Sequence, residues 1–176
     1  MNILNLEAKY PLQTWLNNEV LRKKSSSVVT IDSEIIQFCD DLKKLMWHYD
    51  WVWLAAPQIW VNLRIISTTQ WSIKGDSWSL LSEKIMINPE VLNFSESKEK
   101  DIEACLSLPW MENEVYRSKK IKVKYLNTYW KYKTLSLSWM NARIVQHEID
   151  HLDWVLFPDR AVAKTNNLNF SKFIKN

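Results

Sequence analysis

At 176 residues, 47% hydrophobic and 24% charged, the chain is long enough for one domain with a sizeable buried core. Its formal net charge of +3 is too small to argue for nucleic-acid binding, and no block of about five or six like charges appears, so no direct nucleic-acid readout is expected. Two cysteines at unrelated spacing give no disulfide framework and suit a reducing cytosol; with no basic leader or membrane-length apolar run, the expectation is a cytoplasmic protein without membrane association.

Asp32-Ser33-Glu34 reads as a helix start, with acidic groups at the N-terminal dipole. Ile35, Cys39, Leu42 and Met46 follow at helical spacing and make one apolar face, which assigns Cys39 to the core. His48 lies just past that helix, has no partner at ligand spacing and reads as structural. Leu63 to Ser67 and Lys84 to Asn88 read as short strands, separated by a polar loop from Thr68 to Ser79, with Pro89 limiting the second. Ser95 to Asp101 is a charged loop leading into the segment around Cys105. Lys119 to Leu137 alternates as an antiparallel pair turning at Trp130, with Lys120, Lys122 and Lys124 facing solvent opposite Ile121, Val123 and Tyr125. Met140 to Val145 carries apolar positions at helical spacing without glycine or proline, so Gln146 to Leu152 continues a helix. The tail from Ala161 is short and polar, with Phe170, Phe173 and Ile174 able to form a helical turn or two. Grouped short strands with one helix early and one late give an α+β class.

The chemistry concentrates in Gln146-His147-Glu148-Ile149-Asp150-His151. Histidines four apart project from one helical face, where both imidazoles can reach one cation with Glu148 beside them. The alternative is an ordinary helix whose histidines touch nothing in particular; that two of only three histidines fall at this spacing favours the metal. A catalytic site of this kind needs three protein ligands and one open position. After His151 the chain has no histidine or glutamate, only Asp153 and Asp159, so the third ligand comes from upstream. Cys105 is the best candidate, since a thiolate with two imidazoles is a known catalytic set, but a small buried hydrophobe is an equal reading of a free cysteine.

Three segments in order carry a resemblance. Trp51-Val52-Trp53-Leu54-Ala55-Ala56-Pro57-Gln58, Glu103 to Ser107, and Gln146 to His151 resemble the three motifs of the peptide deformylases, and the similarity runs from about Leu12 to Arg160. The family has glycine where this chain has Trp51 and Trp53. The resemblance implies mainly antiparallel sheets around a central helix bearing the two histidines, in a single catalytic domain over 1–164 with a short tail over 165–176. It implies Cys105, His147 and His151 as metal ligands, Fe(2+) as the metal with Zn(2+) or Ni(2+) as substitutes, and Glu148 as general acid-base. It also implies the Gln58 side chain and the Leu106 backbone N–H as donors to the developing oxyanion. The implied substrate is the N-formyl-methionyl end of nascent peptides, processed near the ribosome by a monomer, with release of formate. Two other classes compete. A zincin-like metallopeptidase lacks its downstream ligand here, and a catalytically dead deformylase-fold binding protein is what the two motif tryptophans would suggest.

One compositional anomaly bears on that choice. A chain of this length holds about a dozen glycines at the usual ~7% usage, yet this one has a single glycine and 11 tryptophans. Trp110 follows Pro109 where a Pro-Gly turn is expected, Trp130 sits at a hairpin turn, Trp139 immediately precedes the histidine helix, and Trp154 follows it where a left-handed residue should end it. The expectation is that most of these tryptophans stand for glycine through a code in which UGA means glycine. Trp47 and Trp71 can be authentic. An aromatic surface for stacking on single strands is the competing reading, but stacking residues cluster on exposed strands rather than at turns and caps. An indole at Trp53 is expected to obstruct the substrate.

Overall fold

The computed structural model describes residues 2–74 and 77–162, with the side chains of 73, 74, 77 and 78 left aside. The expected tail from 165 lies outside these residues. The chain forms α1 (Ile3–Lys9), α2 (Ser33–His48), β1 (Trp53–Ala55), β2 (Ile65–Lys74), β3 (Ser77–Phe94), β4 (Lys98–Cys105), β5 (Leu108–Ser118), β6 (Lys120–Leu126), β7 (Tyr132–Ser138) and α3 (Trp139–Leu152). Short 3-10 turns occupy Ala56–Ile59 and Phe157–Arg160.

Five strands make one antiparallel sheet in the order β1-β2-β3-β6-β7, and β4 with β5 makes a separate hairpin. Strand alternation divides the large sheet between two layers. Ile65 and Ile87 join Phe38, Leu42 and Leu45 of α2, whereas Ile66 and Met86 join Ala142, Val145 and Leu152 of α3. The helix bearing the two histidines is therefore held against one face of the sheet. Leu108 and Val115 of the β4–β5 hairpin pack with Leu156 and Phe157 beyond the end of α3, and Cys105 lies in that same cluster. The α+β class and the antiparallel layers around the histidine helix are as expected. No helix among the described residues is long and apolar enough to cross a membrane.

Several local expectations hold. Asp32 caps α2 by accepting the Ile35 N–H at 2.9 Å, Cys39 is buried on it, and His48 contacts Glu7 of α1 at 3.0 Å. The pair β6–β7 keeps a continuous register from Lys120↔Ser138 to Leu126↔Tyr132, with Ile121, Val123 and Tyr125 buried.

Four expectations are corrected. The polar stretch from Thr68 to Ser79 is mostly strand: Thr69, Gln70 and Ser72 pair with Glu83, Ser82 and Ser79, and β-branched threonines fit a pleated surface despite their hydroxyls. Pro89 does not end its strand, because the register shifts between Ile87 and Glu90 and absorbs the missing donor before β3 continues to Phe94. Ser95 to Asp101 is a loop only as far as Ser97, since Lys98 to Asp101 pair with Ser118 to Val115. Trp110 also departs from the turn expected after Pro109. The chain turns at Leu106 and Ser107 instead, bringing Cys105 opposite Leu108, and Trp110 lies in β5.

Candidate metal centre

On α3, His147 and His151 are one turn apart, and their ring centroids lie 5.0 Å from each other. Cys105 ends β4, and the tight turn after it aims its Sγ at the helix, 3.2 Å from His151 Nε2. One ligand atom from each of Cys105, His147 and His151 lies within 4.8 Å of the others, and all three residues are buried. The structure thus brings together the pair read from helical spacing and the cysteine that spacing left open.

Gln58 reaches the same place from the 3-10 turn after β1. The Ala55 N–H donates to its Oε1 at 2.8 Å, which turns its Nε2 toward Ser107 Oγ at 3.2 Å and Cys105 Sγ at 3.5 Å. Leu106 follows Cys105 directly, and its side chain packs on the α2 side of the sheet. Glu148 has 0% exposure, and neither carboxylate oxygen has a hydrogen-bond partner, the nearest charged group being His147 Nε2 at 3.9 Å from Oε1. Burial pushes its carboxyl well above the usual range, with the charge of Glu103 adding to the effect.

The remaining electrostatics follow from the same dryness. Burial pushes the Cys105 thiol up to about 12, with Glu148 acting in the same direction. Burial, then the neighbouring His147, holds His151 well below the ordinary imidazole range. His147 Nε2 is buried without a hydrogen-bond partner. An orphaned imidazole nitrogen facing a thiol that burial keeps protonated is a donor set that fits a divalent cation, because the cation supplies the charge a thiolate needs.

A second layer of residues, which the sequence did not reveal as functional, sets this geometry. Glu103 Oε2 lies 2.9 Å from His147 Nδ1, so the other ring nitrogen faces the cysteine. The same carboxylate accepts two hydrogen bonds from Arg117, each 2.9 Å, and one from Arg143 at 2.7 Å. Burial opposes its charge, but hydrogen bonds from Arg117 and His147 outweigh that and hold it well below the usual carboxylate range. Arg117 also pairs with Asp150, which accepts from Arg160 Nη2 at 2.7 Å. Gln146 secures the helix by accepting the Ser118 N–H at 3.1 Å and donating to its carbonyl at 2.9 Å. One signal for Glu103 was available: two residues from Cys105 on a strand, it shares that residue's face.

A family model described as Polypeptide deformylase matches residues 13–167. The chain is 41% identical to the Peptide deformylase of Pseudothermotoga lettingae over 144 residues, 82% of this chain and 78% of that one. It is also 41% identical to the Peptide deformylase of Orientia tsutsugamushi strain Boryong over 145 residues, 80% of each chain. Among solved structures it is similar to the peptide deformylase of Thermotoga maritima, with TM-score 0.75, 36% identity and coverage of 88% of this chain and 98% of that one. It resembles the Met-Ala-Ser-bound class I type b peptide deformylase of Acinetobacter baumannii with TM-score 0.79 and 29% identity, covering 86% and 97%.

Proposed function

The chain belongs to the polypeptide deformylase family, and from that premise we propose how its own residues carry the reaction. The enzyme is a metal-dependent hydrolase that removes the formyl group from the amino terminus of newly made proteins and releases formate. Cys105 Sγ and an imidazole nitrogen each from His147 and His151 hold the ion. When bound, a divalent cation there supplies Lewis acidity and brings the pKa of a water towards ~7.

Glu148 accepts the water's proton as the formyl carbon is attacked, then delivers it to the departing amine. Full burial one residue from a ligand histidine keeps this carboxyl within reach of a proton that passes between water and amine. Gln58 Nε2 and the Leu106 N–H donate to the formyl oxygen as it gains charge, and donors of this kind contribute ~3–4 kcal/mol each. Glu103 orients His147 without touching substrate.

The metal in cells is Fe(2+), with Zn(2+) or Ni(2+) able to replace it, and a ferrous ion on a thiolate is oxygen-sensitive. The catalytic unit spans 1–164, acts as a monomer in the cytoplasm, and meets nascent chains near the ribosome. The observation carrying this reading is the approach of Cys105, His147 and His151 to one point beside a fully buried Glu148 that has no hydrogen bond. The test is formate release from a formyl-methionyl peptide by protein loaded anaerobically with Fe(2+), stripped with a chelator, and reloaded. Activity should vanish and return with the ion; release that survives complete stripping would sink the assignment.

A further inference from the structure

We propose that the polypeptide made in its own host carries glycine at Trp15, Trp51, Trp53, Trp60, Trp130, Trp139 and Trp154.

Seven non-glycine residues among those described have positive φ. Two are Asp50 and Asn88, types that enter the left-handed region readily. The other five are all tryptophan: Trp15 at 83°, Trp60 at 71°, Trp130 at 59°, Trp139 at 53° and Trp154 at 56°. A bulky side chain is a poor occupant of that region, because its Cβ meets the neighbouring carbonyl oxygen, whereas glycine enters freely.

The surrounding hydrogen bonds show that these conformations are required. Trp154 follows Asp153, the residue that caps α3, and the Val155 N–H donates to the Asp150 carbonyl at 2.9 Å, a helix ending that calls for a left-handed residue at 154. Trp60 is the left-handed residue closing the 3-10 turn that carries Gln58. The Trp15 N–H donates to the Ser107 carbonyl at 3.1 Å, in the turn behind Cys105. Trp139 donates its N–H to the Lys119 carbonyl at 2.9 Å as α3 begins, and Trp130 closes the β6–β7 hairpin. All five side chains are exposed, so none contributes a buried indole to the core.

Trp51 and Trp53 are revealed by a different fault. Their rings meet edge to face at 5.7 Å, and both indole N–H groups are buried without an acceptor. A buried indole usually has a partner for that group. Trp47 and Trp71 differ on this point, donating to Glu83 Oε1 at 2.9 Å and Thr69 Oγ1 at 2.7 Å, and the geometry makes no demand for glycine there. A single reassigned codon accounts for the exchange, since UGA is one base from the glycine codon GGA.

The consequence for the site rests on the deformylase reading. β1 is an outer strand, and Ala55 at its end holds Gln58 in place. Glycine at 51 and 53 removes two indoles with buried N–H groups from the segment that leads through β1 to Gln58.

Two measurements decide the matter. Peptides from the host's own protein, sequenced by mass spectrometry, should carry glycine at all seven positions; tryptophan there overturns the proposal. The chain as given and a version with all seven changed, including Trp53→Gly and Trp154→Gly, are then compared by melting and by formate release after Fe(2+) loading. Relief at the left-handed sites should raise Tm by roughly 10–20 °C, with turnover confined to the glycine version. An equal or lower Tm overturns the backbone argument, and equal turnover by both overturns the link from 51 and 53 to the site. A glycine version that is more stable but releases no formate upholds the residue assignment and instead defeats the reading of the site.

Discussion

Two neighbouring stripes of α3 satisfy their polar groups in opposite ways. Along Arg143, Gln146 and Asp150, buried charges and amides are matched: Arg143 to Glu103, Gln146 to Ser118, and Asp150 to Arg117 and Arg160. Along His147, Glu148 and His151, buried nitrogen and oxygen atoms have no hydrogen-bond partner. His147 belongs to both, with Nδ1 tied to Glu103 and Nε2 without a hydrogen bond. The matched stripe fixes position, and the unmatched stripe retains capacity to bind a cation and move a proton. Unsatisfied buried groups are costly, so they persist where a ligand completes them.

Breaking the unmatched stripe should have the largest effect on rate. Glu148→Gln keeps the shape of the side chain and removes its proton exchange, so formate release should fall by about 10²–10⁴-fold while melting and metal content stay unchanged. Near-normal turnover in that variant would remove Glu148 from the chemistry.

Breaking the matched stripe should instead weaken the fold. Glu103→Gln leaves the buried Arg143 without its countercharge and Arg117 with Asp150 alone, at a cost of about 3–5 kcal/mol by denaturant unfolding. Because His147 loses its orienting partner, metal affinity should fall by roughly 10–100-fold in a competition titration. A variant with full stability and unchanged affinity would show that the carboxylate is incidental.

The pH dependence sharpens the same contrast. Glu103 is held low in the folded state, so its contribution is fully present above the unfolded value of about 4.3 and is lost as pH falls below it. Denaturation midpoints measured from neutral to acid pH should decline on that limb, and Glu103→Gln should flatten the decline. The smallest effect belongs to the rim of the hairpin. Lys100→Ala breaks a 2.9 Å pair with Glu114, but both side chains are roughly half exposed, so the loss should stay within about 1 kcal/mol.

These contrasts were unequally visible in the chain. Period and caps located α2 and α3, and the spacing of His147 and His151 proposed the centre before any fold was known. Cys105 as third ligand came from elimination and family resemblance, because a buried thiol looks alike in either role. The matched stripe was hidden for a physical reason: Arg117 meets Glu103 across the β4–β5 hairpin and Asp150 across two elements, and no local period encodes such partners. The strands around Thr69 and Ser72 were read as loop because their residues are polar, while the sheet selected them for pleating and pairing. Trp154 and Trp130 were placed correctly at left-handed sites from their neighbours, whereas Trp15 was missed because its need for positive φ arises beside the distant Ser107.

The chemical donors also come from parts of the chain that are far apart in sequence. Cys105 and His151 are separated by 46 positions and meet only in the folded protein. An ion between them therefore closes a long loop, as a covalent cross-link would, and it favours the folded chain over the open one through the entropy of that closure. Loss of the ion then does more than stop a reaction: it removes one tie between the β4–β5 hairpin and the helix, beside the ion pairs of Glu103 and Arg117, and makes the protein's endurance depend on the free concentration of its cofactor.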